Sequence, residues 1–165
     1  MLLPTIGINI AALSLTGFNF GAGDLVRVNE IWRTCLRIAL LMMCVGAVVL
    51  FIAPRLWLGL FTESSEILDV GESLLRVEAE LLPAYTTLFL GVSVLQRLKK
   101  PMFGMILGGY RLIVAPVILF RLFSVVLGYG LNGIWAGIFL KTLSGAVITW
   151  IFVKYVFLKI KTQSV

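Results

Sequence analysis

The sequence predicts an all-α transmembrane helical bundle, and three observations carry that prediction. Of its 165 residues 60% are hydrophobic, and the mean hydropathy is +1.05. Charge-free runs cover Met1–Gly23, Ile38–Pro54, Leu81–Gln96, Leu112–Phe120 and Leu122–Leu140. Short polar breaks separate these runs, and a spanning helix needs about 20 mostly apolar residues. The expectation is a single membrane domain over 1–165, with four complete spans and one partial or complete N-terminal span.

The first span, 2–20, contains Pro4, Gly7, Asn9, Ser14 and Thr16. That is polar for a lipid-facing helix, so one of its faces should look into the bundle. The chain is apolar from Met1 and has no basic n-region, which does not fit a signal peptide. It reads as a chain that begins partway into a membrane protein. The polar segment Gly21–Arg33 is predicted as a loop, and the second span covers 34–60 with Pro54 near its end. An acidic connector, Thr62–Glu72, carries Glu63, Glu66, Asp69 and Glu72. The third span is 73–96, and the basic turn Arg97-Leu98-Lys99-Lys100-Pro101 leads into the fourth, 102–127. Gly128-Tyr129-Gly130 breaks the chain before the fifth span, 131–157, and the tail holds Lys159 and Lys161.

Net charge is +6 and the pI is about 9.7, but the basic residues sit at helix ends, so nucleic acid is not an expected partner. Alternate sides of the bundle divide them unevenly. One side has Arg27, Arg33, Arg37, Arg97, Lys99, Lys100, Lys154, Lys159 and Lys161, the other Arg55 and Arg76. Cytoplasmic loops collect Lys and Arg, which predicts a multi-pass protein of the inner (plasma) membrane with a cytoplasmic C-terminus. Trp32, Trp150 and Tyr155 then mark the inner boundary and Trp57, Tyr129 and Trp135 the outer one. The chain has no His, and nine residues turn Cys35 about 900° from Cys44, onto the opposite helix face. Neither a metal set nor a nucleophile–base pair is expected, which argues against a cofactor and against an enzyme. Gly17/Gly21, Gly104/Gly108 and Gly133/Gly137 match the G-x-x-x-G spacing of closely packed helices.

Arg111, Arg121 and Lys141 interrupt the apolar stretches, and a charge at membrane depth costs several kcal/mol unless it faces a polar interior. Helix rise places Glu78 and Glu80 roughly 10 Å in from the outer side, the level of Arg121. The expectation is an ion pair of Arg121 with Glu78 or Glu80, or a proton or ion relay through one of these acids. Arg111 and Lys141 fall nearer mid-membrane, with no acid expected at their level. They are predicted to line a water-filled cavity, with counter-charges on a part of the protein beyond this sequence. Asn9 and Tyr85 are candidate polar contacts of that cavity.

Several segments in this order resemble one family. Gly17-Phe18-Asn19-Phe20-Gly21-Ala22-Gly23-Asp24 is similar to the G-Q-N-x-G-A-G loop of multidrug and toxic compound extrusion (MATE) transporters, with Phe18 in place of Gln. Leu60-Phe61-Thr62-Glu63 and the acids beyond it resemble that family's outer connector, and Val94 through Pro101 its inner turn. Gly109-Tyr110-Arg111 through Pro116, and Gly130 through Trp135, fit the two helices that close a half. The resemblance covers about Ala11 to Lys161. It implies a two-lobe, twelve-helix antiporter that exports drugs or other organic compounds, organic cations above all, in exchange for sodium ions or protons. It further implies that this chain is the C-terminal lobe, helices eight to twelve, working against an N-terminal lobe or a second copy. Some members carry an acidic coupling residue near the place of Tyr85, which leaves Glu78 and Glu80 as the candidates here. The alternatives are a lipid-linked oligosaccharide flippase of the same architecture, whose anionic head groups would suit Arg111 and Lys141, and a stand-alone helical scaffold or channel subunit.

Overall fold

The computed structural model describes residues 3–163, with side chains described over 5–160, so the Lys161 side chain lies outside the described residues. All regular elements among these residues are helical: α1 (Leu3–Gly21), α2 (Leu25–Ile52), α3 (Pro54–Leu58), α4 (Ser65–Arg97), α5 (Pro101–Gly109), α6 (Ala115–Phe120) and α7 (Gly130–Gln163). Two π-helical stretches, Tyr110–Val114 and Arg121–Val126, join α5 and α6 into one continuous span. Four segments are long and apolar enough to cross a membrane: Leu25–Ile52, Ser65–Arg97, Pro101–Val126 and Gly130–Ile160. Large apolar side chains such as Ile52, Leu112, Val117 and Val125 cover the outside, as in a bundle whose solvent is lipid.

The helices extend further than the hydropathy pattern predicts. The polar segment Gly21–Arg33 is not a loop, because α2 begins at Leu25 rather than near residue 34. Asp24 caps it, its Oδ1 accepting the Arg27 N–H at 2.9 Å, and Gly23 supplies the positive φ of 79° that the tight turn needs. The second span ends at Ile52 rather than residue 60. Pro54 removes an N–H and forces Ala53 out of the helical region (φ −128°), so the chain restarts as the short α3. Most of the acidic connector is helical as well, since α4 starts at Ser65 and not at residue 73. Its 33 residues rise about 50 Å against a hydrocarbon core of about 30 Å. The polar first turns of α2 and α4 therefore stand beyond the apolar slab, and hydropathy alone reads such turns as loop.

That projecting end of α4 is tied to α3. Arg55 Nη2 lies 2.6 Å from Asp69 Oδ1, Arg55 Nε donates to Glu72 Oε2, and Arg76 Nη2 reaches Glu72 Oε1 at 2.6 Å. The hydrogen bond to Glu72, backed by the charges of Glu72 and Asp69, holds the Arg55 guanidinium above its ordinary pKa.

Helix α4 is the hub, packing on α1, α2, α3, α5 and α7. It runs parallel to α7, and the two meet most closely at Gly91. The Thr149 hydroxyl donates to Gly145 O at 2.8 Å, which fixes its rotamer and aims its methyl group at the Gly91 Cα. Trp32 of α2 closes on the same spot, 3.5 Å from where a Gly91 Cβ would lie. Trp32 is only 4% exposed, so its ring packs in the core of the bundle. Leu90, Val94, Leu95 and Val153 complete this core with Ala12 of α1.

Of the three G-x-x-x-G pairs, one is a close crossing at both glycines. A Cβ at Gly133 would come within 2.6 Å of the Phe123 backbone, and one at Gly137 within 2.5 Å of Phe120 Cδ1. Gly21 and Gly108 face open space. The spacing alone does not separate these cases, because it fixes which residues share a face but not what that face meets.

Two outcomes follow for stability, both read by thermal unfolding of the purified chain in detergent. Gly91→Ala should lower stability by about 1–3 kcal/mol through overpacking against Thr149, whereas Gly108→Ala should be neutral or slightly stabilising. Lys99, held at φ 60° in the turn before Pro101, should gain about 1 kcal/mol when replaced by Gly, since only glycine adopts that conformation without strain.

A charged crossing of α4, α5 and α7

Pro116 sets the local geometry of the site. It lacks the N–H that would bond Leu112 O, and the helix accommodates the loss by widening just before it. The Ala115 N–H instead reaches Tyr110 O, five residues back, and Tyr110–Val114 forms a π-helical turn. Arg111 sits in that turn, about 15 Å along the span from Pro101. Its side chain crosses between α4 and α7 over Gly145, where a Cβ would lie 3.0 Å from both Arg111 Cδ and Leu88 Cδ1.

The guanidinium rests on aromatic faces. Its central carbon is 5.5 Å from the Tyr85 ring centroid and 6.0 Å from that of Phe89, one turn further along α4. These two rings stack at 6.2 Å. Arg111 Nε is buried and has no hydrogen-bond partner among the described residues. Hydroxyl groups ring the same place. Tyr110 Oη lies 3.0 Å from Ser144 Oγ, and because Ser144 donates its proton to Lys141 O, Tyr110 is the donor in that bond. Thr142 Oγ1 makes a long contact of 3.5 Å to Tyr85 Oη.

Lys141 lies one turn from Gly145 on α7, half-buried, with Nζ 5.3 Å from the Phe120 ring centroid. Among the described residues no ion pair joins it to an acid. Tyr85 meets Thr142 and Leu88 meets Gly145, so Glu78, seven residues before Tyr85, lies about 9 Å further out along α4 than the level of Lys141.

The expected pairing of Arg121 does not form. The described ion pairs join Arg55 to Asp69 and Glu72, and Arg76 to Glu72, and Arg121 is exposed. The residue inserted by the π-helical turn rotates everything beyond it by about 100° relative to an unbroken α-helix, which hydropathy does not register. Glu80 faces a different cleft of about 350 Å³, where Leu40, Thr87, Leu143 and Trp150 join it on the other side of the α4–α7 contact. Asn9 is on the face of α1 that carries the buried Thr5, Ala12 and Thr16, against α2 and α4. Its Oδ1 is buried without a partner, and it is not among the groups around Arg111.

Of the residues singled out from sequence, the structure brings together Arg111, Tyr85 and Lys141, while Glu78 stays further out along α4. Sequence reasoning missed Phe89, Tyr110, Phe120, Thr142, Ser144 and Gly145. One signal for Gly145 and Phe89 was present: each falls four residues beyond a residue already suspected, Lys141 and Tyr85, on the same helix face. Among the described residues no three carboxylate or thiol groups gather closely enough to hold a metal ion.

The MatE family model matches residues 1–120 of the chain. No curated protein matches it. Among solved structures, an inward-facing multidrug resistance MATE family transporter of the MOP superfamily superposes with a TM-score of 0.90 at 19% identity, over 99% of this chain and 38% of that one. A MATE in a bent conformation gives 0.91 at 20% identity, over 99% and 36%. A MOP superfamily transporter from Pyrococcus furiosus, described as having a binding pocket of reversed polarity, gives 0.87 at 20% identity, over 97% and 36%. The chain thus spans little more than a third of the length of the transporters whose fold it shares. With a family match over well above half its residues and the bundle of membrane-length helices described above, this chain belongs to the MatE family.

Proposed function

We propose that this chain forms one lobe of a cation-coupled antiporter that exports small organic compounds across the inner (plasma) membrane, with its C-terminus in the cytoplasm. The observation that carries this reading is the match of residues 1–120 to the MatE family model, and the coupling group proposed for it is Glu78, a partly buried acid on the same face of α4 as Tyr85. An antiporter needs one group that trades a coupling ion for another partner, and a partly buried acid is such a group. When a proton or sodium ion occupies Glu78, its negative charge no longer offsets the field of Arg111 and Lys141; when the ion leaves, the offset returns. Rocking of this lobe against a second one, from the same polypeptide or from another copy, converts that exchange into alternating access. The excess of Lys and Arg at the Arg97 end supports the orientation.

The fold does not itself fix which compounds are carried. The Pyrococcus furiosus relative is described as differing in function on account of its pocket polarity. The side chains at the crossing set the choice here.

Glu78→Gln in the complete transporter should abolish ion-driven transport of a fluorescent substrate in proteoliposomes while leaving substrate binding measurable. Glu80→Gln should retain more than about half of the wild-type rate. Unchanged ion-driven transport in the Glu78→Gln protein would sink the coupling role.

A further inference from the structure

Charges at the α4–α5–α7 crossing do not balance. Arg111 and Lys141 bring two positive charges to it, while Glu78, on the same face of α4, lies about 10 Å outward of Tyr85 and forms no ion pair with either. Among the described residues no carboxylate forms an ion pair with Arg111, and its Nε is enclosed without an acceptor. Two aromatic faces offset part of the cost, but cation–π contacts supply less than a charge at membrane depth requires. Tyr110, Ser144 and Thr142 already give their protons to neighbouring oxygens, which leaves the Tyr85 hydroxyl as the donor free for an oxyanion. Beside them Phe89 is 42% exposed, an apolar ring left open next to the guanidinium.

We infer that this crossing binds an amphiphilic organic anion, with its acidic head on Arg111 and its apolar body against Phe89 and Tyr85. The fork of the guanidinium matches a carboxylate, sulfonate or phosphate head, and the stacked rings match an aromatic or acyl body. Lys141, one turn from Gly145, adds the second positive charge. Naming this anion as the exported compound rests on the transport reading above; the binding site itself does not. Lipid head groups carry the same chemistry but sit at the interface, whereas Arg111 lies about 15 Å along its span.

A pair of probes with one body and opposite charge tests the site: pyrene-1-sulfonate and 1-pyrenemethylammonium. Their fluorescence anisotropy is followed with the full chain in phosphatidylcholine nanodiscs, and the partitioning into empty nanodiscs is subtracted. The sulfonate should bind saturably and at least about tenfold more tightly than the ammonium. Arg111→Gln should weaken it roughly ten- to hundredfold, the range for a lost charge-assisted hydrogen bond, and Arg111→Lys should recover part of that loss. If Arg111→Gln does not fold, the wild-type preference and a several-fold weakening in Lys141→Gln decide the matter. Tighter binding of the ammonium, binding of neither probe, or sulfonate binding indifferent to both Arg111 substitutions overturns the inference. Displacement of the sulfonate by phosphatidylglycerol added to the nanodiscs would assign the site to lipid head groups and overturn it as a substrate site. Anion binding together with ion-driven transport unaffected by Glu78→Gln would leave the site standing and remove the coupling mechanism.

Discussion

A guanidinium near the middle of a membrane span has to be kept out of hydrocarbon, and the crossing of α4, α5 and α7 is arranged around that constraint. Arg111 reaches its place because Pro116 widens the helix ahead of it and because Gly145 has no side chain to block its path. The rings of Tyr85 and Phe89 then take one side of it. Each of these is a packing requirement, and together they fix the relative rotation of three helices. Isolated helices in lipid gain little from burying apolar surface against one another, so specific contacts of this kind set how they meet.

The same dependence on close contact runs down the α4–α7 pair. Thr149 bonds to Gly145 O and presses its methyl group on Gly91, so the glycine that admits Arg111 and the glycine that admits Thr149 are linked through one side chain. Nearer the start of α7, Gly133 and Gly137 let the second π-helical stretch and Phe120 approach. Phe120 in turn places its ring near Lys141. Packing and charge are thus shared by the same residues, and moving one helix would disturb both.

Polar groups fall into two unlike populations. At the α3–α4 end, Arg55, Asp69, Glu72 and Arg76 form exposed pairs, which water screens and which mainly orient the short α3. Inside the bundle, Arg111 and Lys141 bring two positive charges to one crossing where screening is weak, so their mutual placement has large consequences. Glu80, only two residues from Glu78, belongs to neither group, because two residues turn a helix by about 200° and set it on the opposite face. Proximity in sequence is a poor guide to shared function on a helix.

By itself the sequence determined the class of fold, through hydropathy that no water-soluble domain would carry, and the family, through short loop segments whose order is kept. It also identified Arg111 and Lys141 as the residues to explain, since the cost of a buried charge depends on depth and depth follows from position along a helix. Tertiary structure alone decided the partners. Helix ends that project beyond the apolar slab are polar, so their turns looked like loops. The π-helical turn at Arg111 rotated Arg121 away from the acids expected to meet it, and no residue pattern other than Pro116 announces such a turn. Gly91 and Gly145 stand alone rather than in a spaced pair. What a single glycine admits depends on the helix opposite, and one chain read in order does not reveal which helix that is.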